Sequence, residues 1–265
     1  MNEHRRRTYA TADALLASLR AAPVDGLVIS PGSRSTPLVL AGISAGLPLW
    51  MVLDERSAGF VALGMARASG KPGALICTSG SAATNYLPAV VEADRARLPL
   101  VVVTADRPPG YLDRDAPQTI DQVGLYGSHV RAALNLAVAH ECDPQQVADE
   151  TLHLLEAARP PNAGPVHINV PFAKPLEPPA RGRIRVRVPT PAPARTRAVN
   201  ARSVELLTRF MEEAERGLIV VGPRPADPAE RAAIIRLSDG AGWPILADGM
   251  SGLRAAKHEL SLIHI

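Results

Sequence analysis

Short, almost unbroken apolar runs alternate with helix-period patterns along the first 170 residues. Five runs read as strands, at residues 26–30, 49–53, 73–78, 98–105 and 166–170. Four stretches whose apolar positions recur every three to four residues read as helices, at 10–21, 57–69, 81–96 and 144–158. The strands are near-continuous Val, Leu and Ile, as parallel strands covered on both faces must be. The alternation predicts an α/β fold over residues 1–175, a doubly wound parallel sheet. In such a sheet ligands sit beyond the carboxyl ends of the strands.

The pattern changes at Pro171. Seven prolines fall between Pro171 and Pro193, and Arg181, Arg183, Arg185 and Arg187 alternate with small or apolar residues. Residues 176–200 are therefore read as an extended linker with room for one edge strand. No aromatic residue interleaves those arginines, so they are read as a solvated edge and not as a nucleic-acid groove. A second βαβ pattern follows: a helix at 203–215, a strand at 217–221, a helix at 228–240 and a strand at 244–247. It runs for about 60 residues, too few for a complete doubly wound domain. The expectation is that residues 201–265 open a domain that is truncated, and that 261–265 are not native sequence.

Composition narrows the function classes. The net charge is +3, from 29 basic and 26 acidic side chains, too mild a bias for a nucleic-acid binder. No apolar stretch reaches the roughly 18 residues of a membrane span, and the polar start leads into no signal-like segment. Cys77 and Cys142 lie far apart; Cys77 falls in a predicted strand and reads as a buried thiol, which suits a reducing cytoplasm. No two histidines are four residues apart, so a helical zinc pair is not expected. Neither a Gly-x-Ser-x-Gly elbow nor a Gly-x-x-x-x-Gly-Lys phosphate loop occurs.

The richest stretch is Ser30-Pro31-Gly32-Ser33-Arg34-Ser35-Thr36, between the first strand and the helix that begins near Pro37. A strand, a Gly-containing turn and a helix N-terminus present free backbone N–H groups to an anion. Arg34 can add a two-pronged grip on a carboxylate.

This turn resembles that of one family, the thiamine diphosphate-dependent 2-succinyl-5-enolpyruvyl-6-hydroxy-3-cyclohexene-1-carboxylate synthases. The resemblance extends over residues 53–60, 78–83, 87–93, 104–109, 116–122, 164–172 and 242–248, in order, and covers roughly residues 9 to 254. It implies an enzyme of menaquinone biosynthesis, a C–C bond-forming transferase that decarboxylates 2-oxoglutarate and adds the succinyl unit to isochorismate. It implies three domains, of which this chain holds the first, pyrimidine-binding one and the opening of a Rossmann-like second. A homodimer is the implied minimum unit, with homotetramers common, because the pyrimidine domain of one subunit faces the diphosphate domain of another. The Gly-Asp-Gly motif that begins the diphosphate and metal site occurs nowhere in the chain. Ligands for Mg²⁺, or manganese in its place, are thus expected outside it, with no metal site in this chain.

The resemblance also implies roles for single residues. Glu55 would be the catalytic carboxylate that hydrogen-bonds the aminopyrimidine ring nitrogen N1′; by position alone it reads as a solvated or capping residue, and Asp54 as a capping or packing one. Pro31, Thr78, Ser79 and Gly80 would line the pyrimidine, Gly80 and its small neighbours letting the ring approach the backbone. The same three residues also suit a tight βα turn in which Ser81 caps the next helix. Ser33, Arg34, Arg107 and Gln118 would contact substrate. Arg107 has the alternative of a salt bridge with Asp106, and Gln118 that of an ordinary loop amide. Asp115 stands where relatives commonly have Gly, and Pro117 where some carry Asn. The alternatives for the whole are another thiamine enzyme, such as acetolactate synthase, and a non-catalytic fragment.

Overall fold

The computed structural model describes residues 2–160, 162–179, 188, 190, 199–223, 227–253 and 263–264. Most of the predicted linker, its four arginines included, lies outside the described residues. The chain divides into two compact units, Met1–Pro193 and Ala194–Ile265, and the division falls inside the Pro-rich stretch.

The first unit is a six-stranded, fully parallel sheet with helices on both faces. Its strands are β1 (Gly26–Ile29), β2 (Leu49–Met51), β3 (Gly73–Cys77), β4 (Leu100–Asp106), β5 (Ala132–Asn135) and β6 (Pro165–Pro171), in the order β2-β1-β3-β4-β6-β5. The helices are α1 (Asn2–Ala21), α2 (Thr36–Ser44), α3 (Glu55–Ser69), α4 (Ser81–Thr84), α5 (Leu87–Ala96) and α6 (Pro144–Ala157). Helices α1, α2 and α6 bury Leu15, Leu19, Leu38 and Leu155 against Ile29, Ile76, Val101 and Ile168 on one face. Helices α3, α4 and α5 bury Ala62, Ala83, Tyr86 and Val90 against Val28, Leu75 and Val102 on the other. Covering both faces with apolar side chains is what allows the strands to be continuously hydrophobic.

Strand order reverses between β1 and β3, because α2 leaves β1 on one face while α4 and α5 leave β3 on the opposite face. In doubly wound sheets such a reversal at the carboxyl edge is where ligands are held.

Several boundaries differ from the sequence reading. Helix α1 begins at Asn2, not residue 10, although its first turns are polar. Tertiary ties replace the missing hydrophobic signal: Arg7 donates to the Cys142 carbonyl at 3.3 Å, Tyr9 Oη to the Leu176 carbonyl at 2.9 Å, and Arg5 pairs with Glu177 at 3.5 Å. The helix predicted over 81–96 is two helices, α4 and α5. Pro88 has no N–H to give to Thr84 and cannot continue the first of them. Strand β5 was not predicted; Ala-Ala-Leu-Asn carries no β-branched residue and half its positions are exposed at the sheet edge. Strand β2 stops at Met51, short of the predicted 53, and all three of its residues are exposed.

The second unit contains α7 (Ala201–Glu213), β7 (Ile219–Val221), α8 (Pro228–Ala241), β8 (Ile245–Ala247) and β9 (Ile263–His264), the strands forming a parallel sheet in the order β7-β8-β9. Its small core holds Val221, Ile245, Ala247 and Leu253. Asn200 and Asp227 cap α7 and α8 through their side chains.

Candidate functional site

Four consecutive turns meet at the carboxyl edge of β2, β1, β3 and β4, and every site residue expected from the sequence lies on one of them or on the loop that folds over them. After β1, residues Ser33–Ser35 form a 3-10 turn that Ser35 Oγ closes on the Gly32 carbonyl at 2.9 Å. Pro31 and Ser33 are exposed, whereas Arg34 is buried. The Arg34 guanidinium donates to the Phe172 carbonyl just past β6, which anchors the side chain across the sheet edge. Gly32 has extended backbone but no room for a side chain: a Cβ there would lie 2.3 Å from Thr78 Cβ. The β1 and β3 turns are therefore in direct contact at the strand-order reversal.

After β3, Thr78 and Ser79 are buried and Gly80 adopts φ 85, ψ −147, which side-chain-bearing residues avoid. Gly80 is the N-cap of α4, correcting the alternative in which Ser81 caps; Ser81 is the first helical residue, and no side chain caps this helix. The loop after β4 folds back over this turn. Gln118 itself has φ 59; its Nε2 donates to the Ser79 carbonyl at 3.1 Å and reaches Thr78 Oγ1 at 3.5 Å, while its own carbonyl accepts from Ser79 Oγ at 3.0 Å. Gln118 is thus no free loop amide. Asp115, at the position where Gly was the expected residue, is also in the left-handed region at φ 46.

After β2, Asp54 caps α3 by accepting from the Ser57 N–H at 2.7 Å. Glu55 is then the first residue of the helix, two positions earlier than the predicted start, and is half-buried. No hydrogen bond or ion pair holds its carboxylate among the described residues. Its charge reaches the end of β3: burial pushes the Cys77 thiol and the Tyr86 hydroxyl up, and the Glu55 carboxylate pushes both further.

After β4, Arg107 makes no ion pair with Asp106. Asp106 Oδ1 accepts the Arg107 backbone N–H at 2.7 Å, and Oδ2 accepts Asn169 Nδ2 at 2.9 Å, leaving the Arg107 side chain unclaimed by that carboxylate. The Arg107 guanidinium lies 5.7 Å from the Tyr111 ring centre, and its Nε is buried without a partner. Burial lowers the Arg34 pKa, and the nearby Arg107 charge lowers it further. Burial raises the Asp106 pKa, against its hydrogen bonds and the Arg34 charge. Two guanidinium groups near each other, with an orphaned donor, make a site that an anionic ligand would complete.

Beneath the turns runs a buried polar network with no assigned chemistry in the sequence reading. Gln122 Oε1 accepts the Gly80 N–H at 2.8 Å, and Gln122 Nε2 donates to Asn169 Oδ1 at 2.9 Å and to the Ala105 carbonyl at 3.3 Å. Asn169 also accepts from Thr104 Oγ1 at 2.8 Å and donates to Asn135 Oδ1 at 2.9 Å. Thr104 Oγ1 lies 2.8 Å from His167 Nε2. Burial lowers the His167 pKa to about 4, so the ring is neutral at ordinary pH. The available signal was Thr104, His167 and Asn169 inside otherwise apolar strands, since polar side chains buried in a sheet must find partners.

The side chains fit the aminopyrimidine and dicarboxylate ligands that the family resemblance implies. One unpaired carboxylate suits a ring nitrogen, Gly80 and Gly32 keep the floor thin, and Arg34 with Arg107 suits carboxylates. Among the described residues no group of three or more His, Cys, Asp or Glu could hold a metal ion, and no helix is long and apolar enough to cross a membrane.

Residues 10–125 match the family described as thiamine pyrophosphate enzyme, N-terminal TPP binding domain. The 2-succinyl-5-enolpyruvyl-6-hydroxy-3-cyclohexene-1-carboxylate synthase of Chloroflexus aurantiacus is 45% identical over 92% of this chain and 42% of its own length. The synthase of the same name from Geobacillus kaustophilus is 45% identical over 95% of this chain and 45% of its own. That of Halorubrum lacusprofundi is 45% identical over 93% of this chain and 42% of its own. The chain thus spans less than half the length of these curated relatives.

Proposed function

We propose a function from one premise: the chain belongs, as the N-terminal part, to the family of thiamine diphosphate-dependent 2-succinyl-5-enolpyruvyl-6-hydroxy-3-cyclohexene-1-carboxylate synthases. The protein that contains it joins 2-oxoglutarate, with loss of carbon dioxide, to isochorismate in menaquinone biosynthesis. Residues 1–175 are its pyrimidine-binding domain, 176–200 the linker and 201–265 the start of the central domain. When bound, thiamine diphosphate supplies the carbon nucleophile that attacks the 2-oxo group.

Glu55 accepts a hydrogen bond from the protonated pyrimidine N1′ and holds that proton in place. The unpaired, half-buried Glu55 carboxylate at the start of α3, beside the strand-order reversal, is the observation that carries this reading. Pro31, Thr78, Ser79 and Gly80 bound the ring, with Gln118 closing over the last three. Arg34 and Arg107 bind carboxylates of the substrates, Ser33 adds a hydroxyl, and the buried position of Arg34 strengthens its grip by excluding water. The diphosphate and a divalent ion, Mg²⁺ or manganese, are assigned to the portion of the protein beyond this sequence. Met51, Leu53 and Phe60, on either side of Glu55 in the sequence, are exposed, which supports assembly as a homodimer or homotetramer. A cytoplasmic location completes the reading, and the two free, buried thiols support it.

The test uses the full-length protein with thiamine diphosphate, Mg²⁺, 2-oxoglutarate and isochorismate. Carbon dioxide and coupled product are expected together, and Glu55→Gln is expected to remove both. Turnover of pyruvate in place of 2-oxoglutarate would contradict the reading and favour an acetolactate synthase-like activity.

A further inference from the structure

We propose that Gln122 and Asn169 are positioning residues: their side-chain amides fix the turn at Gly80 relative to the turn at Asp106–Arg107. The inference rests on the proposed function, which places the pyrimidine against the first turn and a substrate carboxylate against the second.

The hydrogen bonds form one connected chain that converges on Asp106. The Gly80 N–H donates to Gln122, Gln122 donates to Asn169, and Asn169 donates to Asp106, whose other oxygen receives the Arg107 N–H. Gln122, Asn169 and Asp106 are all buried, so water cannot substitute for a lost partner without cost. Each amide also has a fixed sense. Asn169 Oδ1 is committed to Thr104 and Gln122, and its Nδ2 to Asp106 and Asn135. Turning that amide over would set its oxygen against the Asp106 carboxylate. Removing the Gln122 donor therefore propagates beyond Gln122: Asn169 Oδ1 keeps Thr104 but loses the second of its two donors, and the hold of its Nδ2 on Asp106, and so on the Arg107 backbone, loosens. Gly80 feels the same loss from the other side, because its left-handed backbone is held by the amide of Gln122 and by the packing of Gln118. The two turns follow neighbouring strands, yet among the described residues no backbone hydrogen bond joins them; the side-chain amides do.

Amide hydrogen exchange on this chain, with no ligand added, reads the relay directly. In Gln122→Ala, the Gly80 and Arg107 amides should both exchange roughly tenfold faster, the scale of one buried hydrogen bond, with Val101–Val103 unchanged. Gln122→Glu separates relay from fold. Its carboxylate still accepts from Gly80 but, once ionised, donates nothing to Asn169. Gly80 should stay protected while Arg107 loses protection as pH rises. In the full-length synthase, Gln122→Ala should raise the KM for 2-oxoglutarate and weaken thiamine diphosphate binding about tenfold each, with a smaller change in kcat. Unchanged exchange at both amides would overturn the proposal, and so would uniform acceleration across β4, which marks a merely structural role. Wild-type protein inactive on 2-oxoglutarate would refute the proposed function and leave the exchange results to decide the relay by themselves.

Discussion

In the proposed reading Arg34 and Arg107 would bind the same ligand from different depths, and their substitutions should differ accordingly. Arg34 is buried and tied to the Phe172 carbonyl; Arg107 is half-buried with an unpartnered Nε. Lysine at position 34 keeps the charge but loses the fork, so Arg34→Lys in the full-length enzyme should raise the KM for 2-oxoglutarate by roughly tenfold or more. An unchanged KM would remove Arg34 from the carboxylate site. His167 makes a separate prediction about stability. Its folded pKa near 4 lies below the ordinary 6.5, so between those values the unfolded chain binds the proton more tightly. The stability conferred by the neutral ring is therefore complete above pH 6.5 and is lost as pH falls toward 4, by at most about 3 kcal/mol. Urea melts of wild type and His167→Gln from pH 4 to 7 should show a shallower pH slope in the variant; equal slopes would contradict the assignment.

Among the elements, the proposed site sits where turns must be small. Gly80→Ala would place a Cβ 2.9 Å from Gln118 Cγ on a backbone at φ 85, and should destabilise the first unit by about 1–3 kcal/mol. Gly110→Ala, with nothing within 4 Å, is the control and should stay within about 0.5 kcal/mol. Equal melting shifts in the two would mean that the Gly80 turn is not constrained. The same elements show what the sequence made legible. Five of the six strands of the first sheet announced themselves as apolar runs: four because strands covered on both faces must be apolar throughout, and β2 because Leu49-Trp50-Met51 is apolar although exposed at the edge. β5 did not, because an edge strand of Ala-Ala-Leu-Asn needs no such pattern. The split at Pro88 is visible in hindsight from proline chemistry alone. Arg34 was singled out by its place in the Gly-containing turn after β1, and Glu55 and Arg107 by the family resemblance, but the surroundings of Arg107 were not legible: whether Asp106 takes its side chain or its backbone depends on Asn169, 63 residues away.

At the scale of the whole molecule, the two units differ in completeness of burial. The first buries apolar clusters on both faces of its sheet, whereas α7 of the second leaves Leu206, Leu207 and Phe210 each more than half exposed. In the proposed reading the chain supplies a carboxylate and two arginines, and its sequence carries no Gly-Asp-Gly motif. The 265-residue chain by itself should therefore form no product from 2-oxoglutarate and isochorismate with thiamine diphosphate and Mg²⁺, while the full-length protein should. Product from the chain alone would refute the division of the cofactor site. The proposed function turns on the Glu55 carboxylate, which would hold a proton on the pyrimidine nitrogen. Nitrogen-15 NMR of full-length enzyme loaded with thiamine diphosphate labelled at N1′ measures that proton. A protonated N1′ in the wild type and an unprotonated one in Glu55→Gln is the predicted result; the same N1′ resonance in both would contradict it.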